Sequence, residues 1–325
     1  MVPVAGFADV LTSPFSPSLV NVADGCIVLR DSFPEKPIVT EQVPHFDWEL
    51  KSHSYNGTFC NVTQARPRGQ KGPFLYAMKR LKPEWQYSSV GRAVMNRETE
   101  LGRLVSHPHL VPTLDANADD DESFLVQPWL QGKTLQELMS LGRTAKPAET
   151  IWIARQIAEA LAALEAHQFC HSDVKPGNII VSPNGHATLI DLGLARRTGE
   201  PSLLIDRAVC GTPRYMAPEA AEASQAIDIR ADLYSLGLVM LEMMFGKTAL
   251  VSRESSTRVH AGQWHEWWRS PTNQGEQIHP GVAELEALLR SMTSVDKSKR
   301  PDSANILLRR LVSIEIAIID YVIGA

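Results

Sequence analysis

His171-Ser172-Asp173-Val174-Lys175-Pro176-Gly177-Asn178-Ile179-Ile180, followed by Ile190-Asp191-Leu192-Gly193, is the stretch on which the reading of this chain turns. Ahead of it, Ile153, Ile157, Leu161 and Leu164 recur at helical spacing, so an amphipathic helix leads into the loop. Behind it, Asn178 to Val181 and His186 to Ile190 flank a Ser182-Pro183-Asn184-Gly185 turn and read as a hairpin. A His-x-Asp triplet alone matches by chance. Its plain reading is a polar loop in which Asp173 caps a turn while Asn178 and Asp191 sit in bends. The order helix, loop, hairpin, Asp is a far more demanding pattern, and it gives the stretch its weight.

In that order these residues resemble the catalytic loop and metal-binding loop of protein kinases. Phosphoryl transfer needs an acceptor for the substrate hydroxyl proton, a cation on the transferred phosphate and oxygen ligands for Mg²⁺. The resemblance implies that Asp173 orients the hydroxyl and takes its proton, and that Lys175 neutralises charge on the γ-phosphate of ATP. It implies that Asn178 and Asp191 hold Mg²⁺. Gly211-Thr212-Pro213-Arg214-Tyr215-Met216-Ala217-Pro218-Glu219 looks like the end of an activation segment, and Lys175 with Thr212 points to serine/threonine substrates. Asp232-Leu233-Tyr234-Ser235-Leu236-Gly237 resembles the buried helix whose Asp holds the catalytic-loop backbone, and Arg300 looks like the partner of Glu219. Read without the family, Glu219 and Arg300 are two surface charges of small effect. About a dozen fixed positions match in order, each with a chance of roughly one in twenty, which leaves coincidence no room.

Upstream, Phe74 to Lys79 alternates so that Leu75, Ala77 and Lys79 share a face, as in a strand with one side toward a cleft. It is similar to the family's Ala-x-Lys strand, which implies Lys79 on the nucleotide phosphates and Ala77 against adenine. Glu98 and Glu100 both qualify as the partner of Lys79. Glu98 lies with Val94, Leu101 and Val105 on the apolar helical face, whereas Glu100 falls among Asn96, Arg97 and Arg103, so Glu98 is assigned. Leu125 to Gly132 looks like the last strand and hinge between two lobes. Gln127 is then the gatekeeper, with adenine taking the Leu130 N–H and the Pro128 carbonyl between Val62 above and Ile180 below. All of these are also ordinary core positions.

Three departures stand out. The family's Gly-rich loop survives in Tyr55-Asn56-Gly57-Thr58-Phe59-Cys60-Asn61-Val62 only as Gly57, Phe59 and Val62, so a weaker or more mobile grip on the nucleotide is expected. Ser172 replaces an Arg that pairs with an activation-loop phosphate. Phosphorylation at Thr198, Ser202 or Thr212 should then matter less, unless Arg196, Arg197 or Arg207 substitutes. Gly102 stands where a larger apolar side chain is usual, which leaves the stack between this helix and Leu192 open to underfilling.

The chain has 325 residues, ample for a sizeable core, and the resemblance implies a bilobal α+β fold. In it a small β-rich N-lobe with one main helix faces a larger helical C-lobe across the ATP cleft. Residues 1–44 form an extension of unknown role, 45–130 the N-lobe and hinge, and 131–325 the C-lobe. A net charge of −5 argues against a nucleic-acid surface. Cys26, Cys60, Cys170 and Cys210 lack metal-ligand spacing and point to a reducing, cytoplasmic setting with unreactive thiols. No secretory signal is read at the start of the chain, where Met1 to Val20 has no basic residue. Leu311 to Ala325 is apolar but interrupted by Glu315 and Asp320, and is read as a buried final helix, with membrane or partner docking as the alternative. Asp119-Asp120-Asp121-Glu122 reads as a solvated turn. Residues 1–44, or the segment with Trp264, Trp267 and Trp268, are candidates for docking partners, although Trp is more often packed under a loop.

The resulting expectation is a bacterial-like serine/threonine protein kinase using ATP and Mg²⁺ on protein substrates. One rival is a pseudokinase that binds nucleotide or scaffolds partners, consistent with Ser172, Gly102 and the depleted Gly loop. A second is a kinase for a small-molecule hydroxyl.

Overall fold

The computed structural model of the protein describes residues 47–117, 123–142, 144–200, 214–221, 226–246 and 280–324. The first lobe is an antiparallel sheet of β1 (Trp48–Asn56), β2 (Cys60–Pro67), β3 (Tyr76–Leu81), β4 (Asp115–Asn117) and β5 (Phe124–Pro128), in the order β1-β2-β3-β5-β4. The central strand β3 is covered on both faces. Ala77 and Lys79 turn to the cleft, while Met78 packs with Ala65 and Val126 under Trp48, Tyr76 and Phe124. Leu75, expected on the strand's cleft face, lies just ahead of β3 and is half exposed.

After β3 come α1 (Pro83–Gln86) and the lobe's main helix, α2 (Ser89–Leu104). Ser88 starts α2 by accepting the Val90 N–H, satisfying one of the amides a helix end leaves open. Val94, Met95 and Leu101 turn inward, and Val94 and Met95 cluster with Phe59, Leu81 and Leu125 of the sheet. This packing carries Glu98 to the cleft.

The second lobe holds β6 (Lys133–Thr134), α3 (Leu135–Ser140), α4 (Pro147–Ala166), β7 (Phe169–Cys170), β8 (Ile179–Val181), β9 (Ala187–Leu189), β10 (Arg196–Arg197), α5 (Arg230–Phe245), α6 (Pro280–Met292) and α7 (Ala304–Gly324). Pro147 opens α4, where its missing N–H is no loss, and Ile153, Ile157, Leu161 and Leu164 face the core as their spacing predicts. α5 is buried on nearly every side and packs against α4 and α6, while α7 packs on α4 and α6 in turn. α5 delivers Asp232 to the back of the catalytic loop. The hairpin β8–β9 pairs as expected and sets Asn178 and Asp191 close together at its open end, where the Ile190 N–H donates to the Asn178 carbonyl.

The final helix differs from its sequence reading. It begins at Ala304, ahead of the apolar run, and buries only one face: Leu307, Leu311, Ile314 and Ile318 pack inward while Val312 and Ile316 face out. Among the described residues no helix is long and apolar enough to cross a membrane. Residues 1–44, the Asp119 to Glu122 turn, Ser202, Arg207, Cys210, Thr212 and the Trp264, Trp267 and Trp268 segment lie outside the described residues.

Candidate active site

The catalytic-loop backbone is held from behind. Asp232 of α5 accepts the His171 N–H at 2.6 Å and the Ser172 N–H at 2.8 Å. Both bonds are charge-assisted, and they fix Ser172 in the left-handed region at φ 67°, a conformation that costs an L-residue about 1 kcal/mol or more. His171 Nδ1 accepts the Asp173 N–H at 3.2 Å, so the ring proton sits on Nε2 and is donated to the Ile190 carbonyl at 3.1 Å. Burial pushes the His171 pKa down to about 4, in keeping with a neutral ring. One imidazole thus ties Asp173 to the residue before Asp191, itself left-handed at φ 71°.

Asp173 gathers the loop's polar groups. Lys175 Nζ lies 2.6 Å from its Oδ2, and Asn178 Nδ2 donates to that oxygen at 2.8 Å and to the Asp173 carbonyl at 2.9 Å. Burial raises the Asp173 pKa above the ordinary range, and Lys175 and Asn178 only partly oppose it. A raised pKa suits a group that accepts a proton. Asn178 spends its amide nitrogen on Asp173; among the described residues no donor bonds its Oδ1.

Across the cleft, Lys79 Nζ lies 2.5 Å from Glu98 Oε1 and 3.4 Å from Asp191 Oδ1. Burial opposes the lysine's charge, but the carboxylates of Asp191 and Glu98 outweigh it and hold its pKa above the ordinary lysine value. The same burial raises Asp191, and Lys79 and Lys175 overcome it to leave that carboxylate ionised below its usual range. Glu98 is pushed up by burial, and the donors Lys79 and Gln127 keep it an acceptor. Glu100, the alternative partner of Lys79, is half exposed and lies near Arg97 and Arg197 instead.

On the side expected to take adenine, Ala77 sits opposite Gln127, and Val62 opposite Lys79, so all four share the cleft face. Ile180 is partly exposed on β8. Trp129 N–H bonds the Leu75 carbonyl at 2.8 Å, which by ladder alternation leaves Pro128 at a non-hydrogen-bonded position opposite Tyr76. Proline is tolerated there because the ladder asks nothing of its nitrogen. Leu130 follows, partly exposed, in the hinge.

The remnant Gly loop is a tight turn. Gly57 N–H bonds the Cys60 carbonyl at 2.9 Å, and a Cβ on Gly57 would lie 2.9 Å from that oxygen, so glycine is required by close approach. Phe59 is drawn into the α1 and α2 cluster with its ring centroid 5.1 Å from Trp85. Burial pushes the Cys60 thiol up to about 12, which makes it a poor nucleophile.

Gly102 does not leave the gap expected of it. A Cβ there would come within 2.9 Å of Thr113 atoms, and Thr113 N–H bonds the Gly102 carbonyl at 2.8 Å while its Oγ1 donates to the Glu98 carbonyl at 3.3 Å. The missing side chain admits a backbone brace on α2. Farther out, Arg300 grips Glu219 with two bonds of 2.6 and 2.9 Å in a buried pair.

Sequence reasoning missed three of these contacts: Gln127 on Glu98, Thr113 on α2, and the charges around Glu100. Gln127 was detectable as the polar member of an apolar strand face; the other two depend on tertiary approach.

The sequence matches the protein kinase domain over residues 52–312. This chain belongs to the protein kinase domain family. It is 33% identical over 205 residues to the serine/threonine-protein kinase PknD of Mycobacterium tuberculosis, covering 63% of this chain and 30% of PknD. It is 31% identical over 206 residues to PknH of Mycobacterium bovis, covering 63% of this chain and 34% of PknH. PrkC of Bacillus subtilis is 26% identical over 209 residues, covering 64% of this chain and 31% of PrkC. The matches span about a third of the length of these relatives. These three relatives are all named serine/threonine-protein kinases.

Proposed function

We propose that this kinase domain transfers the γ-phosphate of ATP to serine or threonine hydroxyls of proteins. The observation that carries the reading is the convergence on the cleft of Lys79 and Glu98 from the first lobe with Asp173, Lys175, Asn178 and Asp191 from the second. Among the described residues no group of three or more His, Cys, Asp or Glu is set to hold a metal ion. Mg²⁺ needs no such cage: it takes one or two protein oxygens and fills the rest of its shell with phosphate oxygens and water. Asp191 and the Asn178 Oδ1 fit that donor set. Bound there, Mg²⁺ supplies positive charge on the phosphates of the substrate nucleotide.

The chain's own residues do the rest. Lys79, fixed by Glu98, neutralises the non-transferred phosphates; Asp173 orients the acceptor hydroxyl and accepts its proton; Lys175, held at Asp173, offsets charge on the group in transit. The scaffold reading loses support, since Gly102 has a local structural reason and every charged group of the site is in place. The serine/threonine names of the relatives favour protein acceptors over small molecules and, with ATP as donor, a cytoplasmic setting.

Labelled-phosphate transfer from ATP with Mg²⁺, to the protein itself and to a generic basic protein, tests this. Asp173→Asn should cut turnover about 10²–10⁴-fold while nucleotide affinity stays nearly unchanged. Equal transfer by the variant would sink the assignment of Asp173, and nucleotide binding with no transfer by the wild type would restore the scaffold reading.

A further inference from the structure

Three segments that carry the site meet at Phe169. α2 bears Glu98, β7 runs straight into His171 and Asp173, and β10 follows closely on Asp191. Phe169 is 1% exposed and lies opposite Arg197 in the β7–β10 pair. Arg197 stacks over its ring at 4.7 Å, and Arg97 of α2 lies over the same ring at 5.4 Å. Each arginine then reaches a carboxylate of the other segment. Arg197 Nη2 lies 3.4 Å from Glu100 Oε1, and Arg97 Nη2 lies 3.9 Å from Glu200 Oε2. The circuit closes through Arg97 and Glu100 at 3.8 Å on α2, and through the backbone N–H of Arg197 donating to Glu200 Oε2 at 3.0 Å.

A single half-exposed ion pair contributes little. Here three ion pairs link four side chains of alternating sign around a buried aromatic, the Arg197 backbone N–H completes the circuit to Glu200, and each guanidinium adds a cation–π contact. We infer that this ring is a positioning clamp, resting on the reaction proposed above: it holds α2, and with it Glu98, against the strand that leads into the catalytic loop. Ser172 removes the loop arginine through which a phosphate would order this region; the ring is a cross-tie that needs no phosphate. Arg97, Glu100, Arg197 and Glu200 touch no reacting atom and act through the placement of Glu98.

Charge reversal on the full chain tests the clamp. Glu100→Arg and Arg197→Glu each set like charges side by side. Each should lower kcat about tenfold, leave the KM for ATP within about twofold, and speed amide hydrogen exchange across residues 89–104. The double reversal restores opposite charges between the two segments, at 100 with 197, and leaves 97 with 200 intact, but sets like charges at 97 with 100, so it should recover part of the rate and part of the protection lost in the singles. A double variant no better than the worse single, with melting temperatures matched, overturns the clamp, as do single variants that change neither rate nor exchange. Arg97→Gln, which adds no repulsion, should give a smaller loss of the same kind, and a phosphatase-treated wild type that loses its activity also counts against the clamp. Exchange is read without turnover, so rescue of protection in a protein that transfers no phosphate would keep the clamp and reject the kinase reading.

Discussion

Gln127 and Lys79 donate to the same oxygen of Glu98, at 3.1 and 2.5 Å. The residue expected to form the back wall of the nucleotide pocket therefore also fixes the carboxylate that fixes the lysine. Register makes this possible, because Gln127 stands opposite Ala77, two residues along β3 from Lys79 and on the same face. Thr113 braces the Glu98 backbone from the other side through the space that Gly102 leaves.

Gln127→Leu keeps the wall's volume and removes the donor. A hydrogen bond to a buried charged acceptor is worth about 1.5–3 kcal/mol, so turnover should fall about tenfold or more, with the KM for ATP changed less than threefold. Steady-state kinetics beside thermal unfolding separate the outcomes. Unchanged turnover would reduce Gln127 to a wall.

How much of the site is legible in the sequence depends on the kind of contact. Lys79 and Glu98 sit on elements whose period can be read, an alternating strand and an amphipathic helix, whereas Asp173, Asn178 and Asp191 are carried by the resemblance of their motif, supported by the helix ahead of it and the hairpin behind. Choosing Glu98 over Glu100 needs only helical spacing. The brace at Gly102 escapes such a reading because a missing side chain says nothing of what fills its place, and here another segment's backbone does. Placing Leu75 on the strand extends the alternation one residue too far, and an apolar run starts α7 too late because it marks a helix's face and not its beginning. The ring around Phe169 is illegible, since its members lie on three separate segments and pair only through the fold.

Tyr55 gives a second prediction. The register sets it opposite Val62, which is opposite Lys79, so its ring is on the cleft face and lies 5.6 Å from Trp129 in the hinge. With 51% of it exposed, the ring is open to a ligand. Aromatic contact with a base is worth about 1–3 kcal/mol, so Tyr55→Ala should weaken adenosine and ATP alike by about tenfold in titration calorimetry, and Tyr55→Phe should bind as the wild type does. Loss confined to ATP would point instead to the phosphate end of the turn.

The Arg300–Glu219 pair is a stability device by its burial. Arg300→Met leaves Glu219 charged and without its partner in the interior, which should cost about 3–5 kcal/mol in urea unfolding. Arg300→Lys keeps the charge but gives up the two-bond geometry and should fall between. Pairing Arg300→Met with Glu219→Leu should return most of the loss. A double variant as unstable as the single would mean that the arginine's bonds to the Ser294 and Arg230 carbonyls, at 2.8 and 3.0 Å, matter more than the ion pair.

His171 sets an acid limit that can be isolated by difference. Burial lowers its pKa from 6.5 to about 4, so the neutral ring's contribution is fully present above 6.5 and is lost as pH falls through 4. Asp232 works in the opposite sense: burial pushes it up to about 7, and its contribution is lost as pH rises from its ordinary value toward 7. The wild type alone therefore shows two opposed trends. Comparing it with His171→Gln at each pH cancels the Asp232 part and leaves the imidazole. Each pH unit between the unfolded and folded pKa is worth about 1.4 kcal/mol, so the stability advantage of wild type over variant should shrink by about 3 kcal/mol on going from neutral pH to about pH 4. An advantage that stays constant across that range would show that His171 titrates as it does in the unfolded chain, and that the bonds to Asp173 and Ile190 do not depend on a neutral ring.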